Sequence, residues 1–163
     1  SIMTSGIFIL LGTNLGDKKQ NLIEAMKLIK TAIGDIVAQS SIYATAPWGK
    51  EDQPAFYNQV IQISTELPPM DLLDKLLAIE NSMGRTRIEK RGERLIDLDI
   101  LYYNDQVLDQ TKLKIPHPGI PERRFTLIPL VELAAEFRHP VLNQNSQRLL
   151  LGCEDNLDVK QIT

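Results

Sequence analysis

A chain of 163 residues with 43% hydrophobic and 24% charged residues has the size and balance of one globular domain with a real core. Its net charge of −3 excludes the broad positive field expected of a non-specific nucleic-acid binder, and its single cysteine, Cys153, excludes an internal disulfide. No apolar run reaches membrane-spanning length, and the N-terminal run Ile7 to Leu11 is too short for a signal peptide and lacks a basic flank, so a cytoplasmic chain with no membrane partner is expected.

Gly6 to Gly12 (G-I-F-I-L-L-G) is a short apolar run between glycines and predicts a buried central strand. After the turn T-N-L-G-D, Leu22, Ala25, Met26, Ile29 and Ile33 recur at helical spacing and predict a helix ending before Gly34. Asp35 to Ala46 predicts one strand whose apolar residues fall on both faces. Pro47 to Pro54 is a polar, proline-bracketed loop holding the only tryptophan, Trp48. Phe56 to Glu66 alternates well and predicts a strand. Pro68 and Pro69 open a second helix with Leu72, Leu73, Leu76, Leu77 and Ile79 on its apolar face and Gly84 as its stop.

A basic loop follows, and Leu95 to Tyr103 is the next strand. Residues 104 to 115 predict a short hairpin, P-H-P-G-I-P an ordered loop, and Phe125 to Ala135 a helix; the tail after Pro140 is polar and poorly patterned. The order β-α-β-β-α-β, with a hairpin and helix added at its C-terminal end, predicts an α+β, ferredoxin-like antiparallel sheet in a single domain spanning residues 1–163.

The stretch R-L-I-D-L-D-I, Arg94 to Ile100, carries the strongest chemical signal. Residues two apart on a strand share a face, so Asp97 and Asp99 project together while Ile96, Leu98 and Ile100 supply core. Like charges at that spacing call for a cation, and Mg²⁺ takes one or two carboxylates plus substrate phosphates. A bare D-x-D also occurs on wet edge strands. Here, however, Arg85, Arg87, Lys90, Arg91 and Arg94 precede it, as a triphosphate would require. Trp48, Phe56 and Phe125 can stack a planar heterocycle, with Asn58 matching an amide-like edge, although either phenylalanine taken alone reads first as a core residue. His117 can bind phosphate, act as acid or base, or do neither. With two histidines and no cysteine pair, zinc is disfavoured.

Five segments together resemble one family. K-R-G-E-R-L-I-D-L-D-I-L (Lys90 to Leu101) resembles the signature of 6-hydroxymethyl-7,8-dihydropterin pyrophosphokinase. G-T-N-L-G-D (Gly12 to Asp17), Tyr43 to Asn58, E-N-S-M-G-R-T-R (Glu80 to Arg87) and Ile115 to Phe125 resemble its other segments in order and spacing. Arg91, Glu93 and Gly119 depart, standing where many members carry tryptophan, proline and arginine.

The resemblance implies diphosphate transfer from ATP to a pterin hydroxymethyl group in folate biosynthesis, leaving AMP. It implies that Asp97 and Asp99 hold two Mg²⁺ ions and that Arg85 and Arg94 stabilise charge on the transferred group. Arg87, Lys112, His117 and Arg123 would contact nucleotide or phosphates, with Glu80 and Ile100 beside the adenosine. Phe56 and Phe125 would sandwich the pterin, with Asn58, Thr45 and Ala46 on its polar edge and Trp48 capping it. A monomer is expected. Two other classes compete: a polymerase- or cyclase-like Mg²⁺ enzyme, which needs a third acidic ligand on another strand, and an RNA-binding module, which needs a basic sheet face.

Overall fold

The structure, a computed structural model, describes residues 2–46, 54–84 and 95–163. Its elements in chain order are β1 (Ile7–Thr13), α1 (Lys18–Ala32), β2 (Asp35–Gln39), β3 (Tyr43–Thr45), β4 (Phe56–Ser64), α2 (Pro69–Gly84) and β5 (Asp97–Tyr103). A small hairpin of β6 (Leu108–Asp109) and β7 (Lys114–Ile115) follows, then a 3-10 turn at Ile120–Glu122, α3 (Arg124–Ala134), α4 (Ser146–Leu151) and β8 (Val159–Gln161). The main sheet runs β5-β1-β4-β3-β8, with β2 also pairing β4; every pairing within it is antiparallel.

The sheet separates two cores. Ile7, Ile9 and Leu11 of β1 and Leu98 and Ile100 of β5 face α1 and α2, joining Leu22, Ile29, Leu72 and Leu76 in one cluster. Phe8 and Leu10 face the other way, against Leu127, Leu130 and Phe137 from α3 and the chain after it. Truncating a fully buried member such as Leu72 or Leu76 to alanine would cost about 2–5 kcal/mol. Asp17 starts α1 by accepting the Gln20 N–H at 3.1 Å. Gly34 ends the first helical unit at a point of close approach, since a Cβ there would stand 2.0 Å from the Ser64 carbonyl oxygen.

Three expectations are corrected. The single strand foreseen over 35–46 is two strands, β2 and β3, on successive stretches of β4. Ser40 causes the break: its Oγ, in place of a backbone oxygen, accepts the Val60 N–H at 3.0 Å. Leu77 is 41% exposed rather than on the buried face of α2. The tail is ordered rather than featureless, forming α4 and β8.

β5 also carries a bulge. Phe8 of β1 pairs with Tyr102 and Ile9 with Ile100, so Leu101 is extra and both Leu101 and Tyr102 join the α3-side core.

His139 is buried under Tyr102, ring centroids 5.6 Å apart, and its Nδ1 accepts the N–H groups of Val141 and Leu142. Burial holds its pKa below the ordinary histidine value. The unfolded chain therefore protonates first as pH falls, so stability is complete above about pH 6.5 and declines below it. The urea midpoint is expected to be lower at pH 5.5 than at pH 8, with a smaller drop in His139→Asn.

Candidate active site

The strand register assembles the site. Gly12 of β1 lies between Asp97 of β5 and Asn58 of β4, and Leu10 pairs with Asp99. On the far side of β4, Phe56 pairs with Thr45 of β3. The pairs 10/12, 56/58 and 97/99 each share a face, the one that α3 covers only in part. A cavity of about 280 Å³ opens there over Leu10 and Gly12. Asp97 and Asp99 form one side, and Thr45, Phe56 and Asn58 the other. Arg123 and Phe125 close it from the start of α3, and Leu157 from the tail.

Gly12 matters because it has no side chain. A Cβ at this position would stand 3.0 Å from Asn58 Oδ1, in the floor of the cleft. Asn58 is buried and its Nδ2 reaches Thr45 Oγ1 at 3.4 Å, a long bond that orients the amide. Arg123 lies over the Phe125 ring, 5.7 Å from its centroid, so the cation and the ring occupy the cleft's rim together.

α3 is held against β3 by Glu132. Its carboxylate accepts the Tyr43 hydroxyl at 2.7 Å and the Ser41 N–H at 3.1 Å. Burial, with a further contribution from Glu132, pushes the Tyr43 hydroxyl up to about 12, so this bond keeps its proton across the physiological range.

Asp97 is exposed and Asp99 half-buried. With Cα atoms roughly 7 Å apart by strand rise, two carboxylates repel by about 0.5–2.5 kcal/mol over effective dielectric constants from 80 to 20. Both offer hard oxygen ligands to one cleft, which suits Mg²⁺. Among the described residues no group of three or more His, Cys, Asp or Glu side chains forms a metal cluster, so phosphate and water oxygens would complete any coordination shell.

His117 stands beside them. Its backbone N–H donates to the Leu101 carbonyl at 3.0 Å, and its Nδ1 accepts the Gly119 N–H at 2.9 Å. Burial lowers its pKa most, Asp99 raises it and Arg123 lowers it, with a net fall below the ordinary value. A neutral imidazole with Nδ1 accepting carries its proton on Nε2, as a hydrogen-bond donor.

The site residues expected from sequence thus divide. Asp97, Asp99, Thr45, Phe56, Asn58, Arg123 and Phe125 converge on one cleft, and Ala46 is exposed next to Thr45. Glu80 and Ile100 do not line it: both are 3% exposed, on the α1/α2 side of the sheet. There Glu80 Oε2 accepts the Leu98 N–H at 2.7 Å. Lys112 is exposed between β6 and β7 and also lies away from the cleft's lining. Trp48, Arg85, Arg87 and Arg94 lie outside the described residues. Sequence reasoning overlooked Gly12 as floor and Leu157 as wall. The sequence signal for Leu157 was weak: Cys153, Asp155, Leu157 and Val159 are half-buried at every second position while Glu154, Asn156 and Asp158 are exposed, but polar Asp155 interrupts the apolar alternation.

Paired carboxylates opposite an amide and two aromatic rings, on the open part of an antiparallel α+β sheet, form a cleft of the kind enzymes use, with chemistry suited to a planar small molecule and a phosphate-bearing partner. Residues 8–135 match the family model described as 7,8-dihydro-6-hydroxymethylpterin-pyrophosphokinase (HPPK), and the chain belongs to that family.

Relatives named 2-amino-4-hydroxy-6-hydroxymethyldihydropteridine pyrophosphokinase agree. That of Haemophilus influenzae is 41% identical over 134 residues, covering 82% of this chain and 84% of the relative. That of Pseudomonas aeruginosa is 40% identical over 155 residues, covering 93% of each. The chain also matches the folic acid synthesis protein FOL1 of Dictyostelium discoideum at 37% identity over 96% of its own length, but spans only 24% of that longer protein. Among solved structures, Plasmodium falciparum HPPK-DHPS superposes with a TM-score of 0.73 at 19% identity, over 93% of this chain and 43% of that one, and so supports the fold.

Proposed function

We propose that this chain transfers the terminal diphosphate of MgATP to the hydroxymethyl oxygen of 6-hydroxymethyl-7,8-dihydropterin, releasing AMP, and that residues 1–163 do so as a single-domain, cytoplasmic monomer. Family membership supports the activity. The observation that carries the assignment of the site is the row Asp97–Gly12–Asn58 across three adjacent strands. Two inter-strand spacings are about 10 Å, room for a bicyclic ring to rest its amide-like edge on Asn58 and turn its opposite substituent toward the carboxylates.

Phe56 and Phe125 would hold the ring between them, with Asn58 oriented by Thr45, the backbone at Thr45 and Ala46 adding hydrogen bonds, and Trp48 closing the site. Asp97 and Asp99 would hold two Mg²⁺ ions. When bound, Mg²⁺ would shield the phosphate charge and lower the pKa of the attacking hydroxyl. Arg123 and the Nε2–H of His117 would donate to phosphate oxygens, with Arg87 and Lys112 adding charge. Arg85 and Arg94 would stabilise charge as the bond to AMP breaks. Glu80 and Ile100 would act from beneath the nucleotide, Glu80 by fixing the backbone of β5 at Leu98. Among the described residues of the cleft no side chain is a strong base for the hydroxyl, so the reaction would rely on positioning and charge stabilisation.

The test is AMP release from ATP that requires both Mg²⁺ and the hydroxymethyl pterin. ATP turnover without the pterin would contradict the assignment. A polymerase-like reading finds no support, because the third acid it needs is missing among the described residues. Nor does any helix of the described residues have the length and apolarity to cross a membrane.

A further inference from the structure

The family match ends at residue 135, yet the cleft does not. Beyond Gly152 the chain returns to the site, with alternate residues from Cys153 to Val159 half-buried and those between them exposed. β8 then adds to the free edge of β3, Val159 opposite Thr45 and Gln161 opposite Tyr43. The strand is anchored further, since the Ile162 N–H donates to the Ile42 carbonyl and Gln161 Nε2 to Ser41 Oγ. This leaves Leu157 at the cleft, sharing it with Phe56 and Phe125.

One carboxylate fixes the arrangement. Asp155 Oδ2 accepts the Arg124 N–H at 3.0 Å, and Asp155 Oδ1 accepts the Leu157 N–H, also at 3.0 Å. The first bond is a helix cap supplied from a distance. α3 begins at Arg124, and Arg123, at its N-cap position, makes no side-chain capping bond of its own. An acidic side chain at a helix N-terminus satisfies an orphan N–H and complements the helix dipole. The capped residue sits between Arg123 and Phe125, the two α3-side residues of the cleft. The second bond sets where Leu157 stands relative to them.

We infer that the C-terminal segment is a working part of the site: Leu157 is an apolar wall that contacts the pterin ring, and Asp155 is a positioning residue that fixes Arg123, Phe125 and Leu157 relative to one another. This rests on the pterin-binding reading above. Leu157 adds contact area to an aromatic-lined slot, where a flat bicyclic ligand gains most from close walls. Asp155 acts only through the three residues it orders.

The experiment uses the full chain and measures AMP release as a function of each substrate separately, with circular dichroism to establish folding. Leu157→Ala is expected to raise KM for the hydroxymethyl pterin about tenfold, as for the loss of one to two buried methylene groups, and to leave KM for ATP within about twofold. Leu157→Met, close in volume, should restore most of the pterin affinity. Asp155→Ala is expected to raise KM for the pterin and lower kcat. Asp155→Asn, which still caps a helix well, should recover part of both.

A purely structural tail would give a lower melting temperature with both KM values unchanged, and that result overturns the inference. So does a folded Leu157→Ala protein with parental pterin KM, even if Asp155→Ala fails to fold. If the parent chain itself releases no AMP, the pterin reading falls and the tail's role with it. If the parent is active and both variants match it, only the tail's role falls.

Discussion

Asp97→Ala or Asp99→Ala is expected to cut AMP release by about 10³-fold or more, because each removes one of two carboxylates that would hold Mg²⁺ against the phosphates, an interaction worth several kcal/mol at the transition state. Asp99→Asn is the sharper variant. It keeps the shape and one oxygen, so the strand and the cavity survive, but it gives up the charge. Removing one of two like charges should not weaken the fold, so its melting temperature is expected at or above the parental value while activity is lost. That combination marks a residue kept for function against stability. The measurement is steady-state AMP formation over a range of Mg²⁺ concentration, with thermal unfolding of the same samples. Parental activity in either alanine variant would remove the metal-binding role, and a large fall in melting temperature for Asp99→Asn would make the residue structural.

How far this site was legible in the sequence depends on the range of the signal. The Asp97/Asp99 pair was readable because strand periodicity is local, and so was the opposite role of Leu98 and Ile100, which lie in the core under α1 and α2. One residue further on, the same periodicity fails. The bulge at Leu101 puts Leu101 and Tyr102 on one face, and nothing local signals an extra residue that only pairing with β1 defines. The break between β2 and β3 has the same origin, since Ser40 acts through Val60 and Gln59, twenty and nineteen positions away. The nucleotide roles of Glu80 and Ile100 came from resemblance alone; periodicity already set Ile100 on the face opposite the two aspartates, whereas no local pattern showed that Glu80 lies buried on that side. Leu157 was missed because four alternating half-buried positions in a polar tail, one of them Asp155, look like noise until an edge strand is available to receive them.

The second large effect is expected at Gly12, and it separates making the cleft from making the fold. Gly12→Val should abolish productive pterin binding, lowering kcat/KM for the hydroxymethyl pterin by at least about 10²-fold, with little loss of thermal stability. A Cβ alone would meet Asn58 Oδ1 at 3.0 Å, and the two further methyl groups of valine would stand in the floor of a cavity of only about 280 Å³. The strand itself should tolerate the change, because β-branched residues suit a buried central strand and the new methyls would fill empty space rather than displace packed atoms. Gly12→Ala should fall between, at about tenfold. Gly34→Ala provides the contrast. Its Cβ would lie 2.0 Å from the Ser64 carbonyl oxygen, a backbone atom that cannot swing aside, so the expected loss is in unfolding free energy, about 1–3 kcal/mol. Gly34 is remote from the cleft's lining, so activity per folded molecule should be largely retained. Pterin binding by calorimetry and unfolding by urea, measured on all three variants, should give opposite patterns for the two glycines. Gly12→Val with pterin affinity within threefold of the parent would mean that the ring does not lie over the Asp97–Gly12–Asn58 row, and the assignment of this cleft as the pterin site would fail with it.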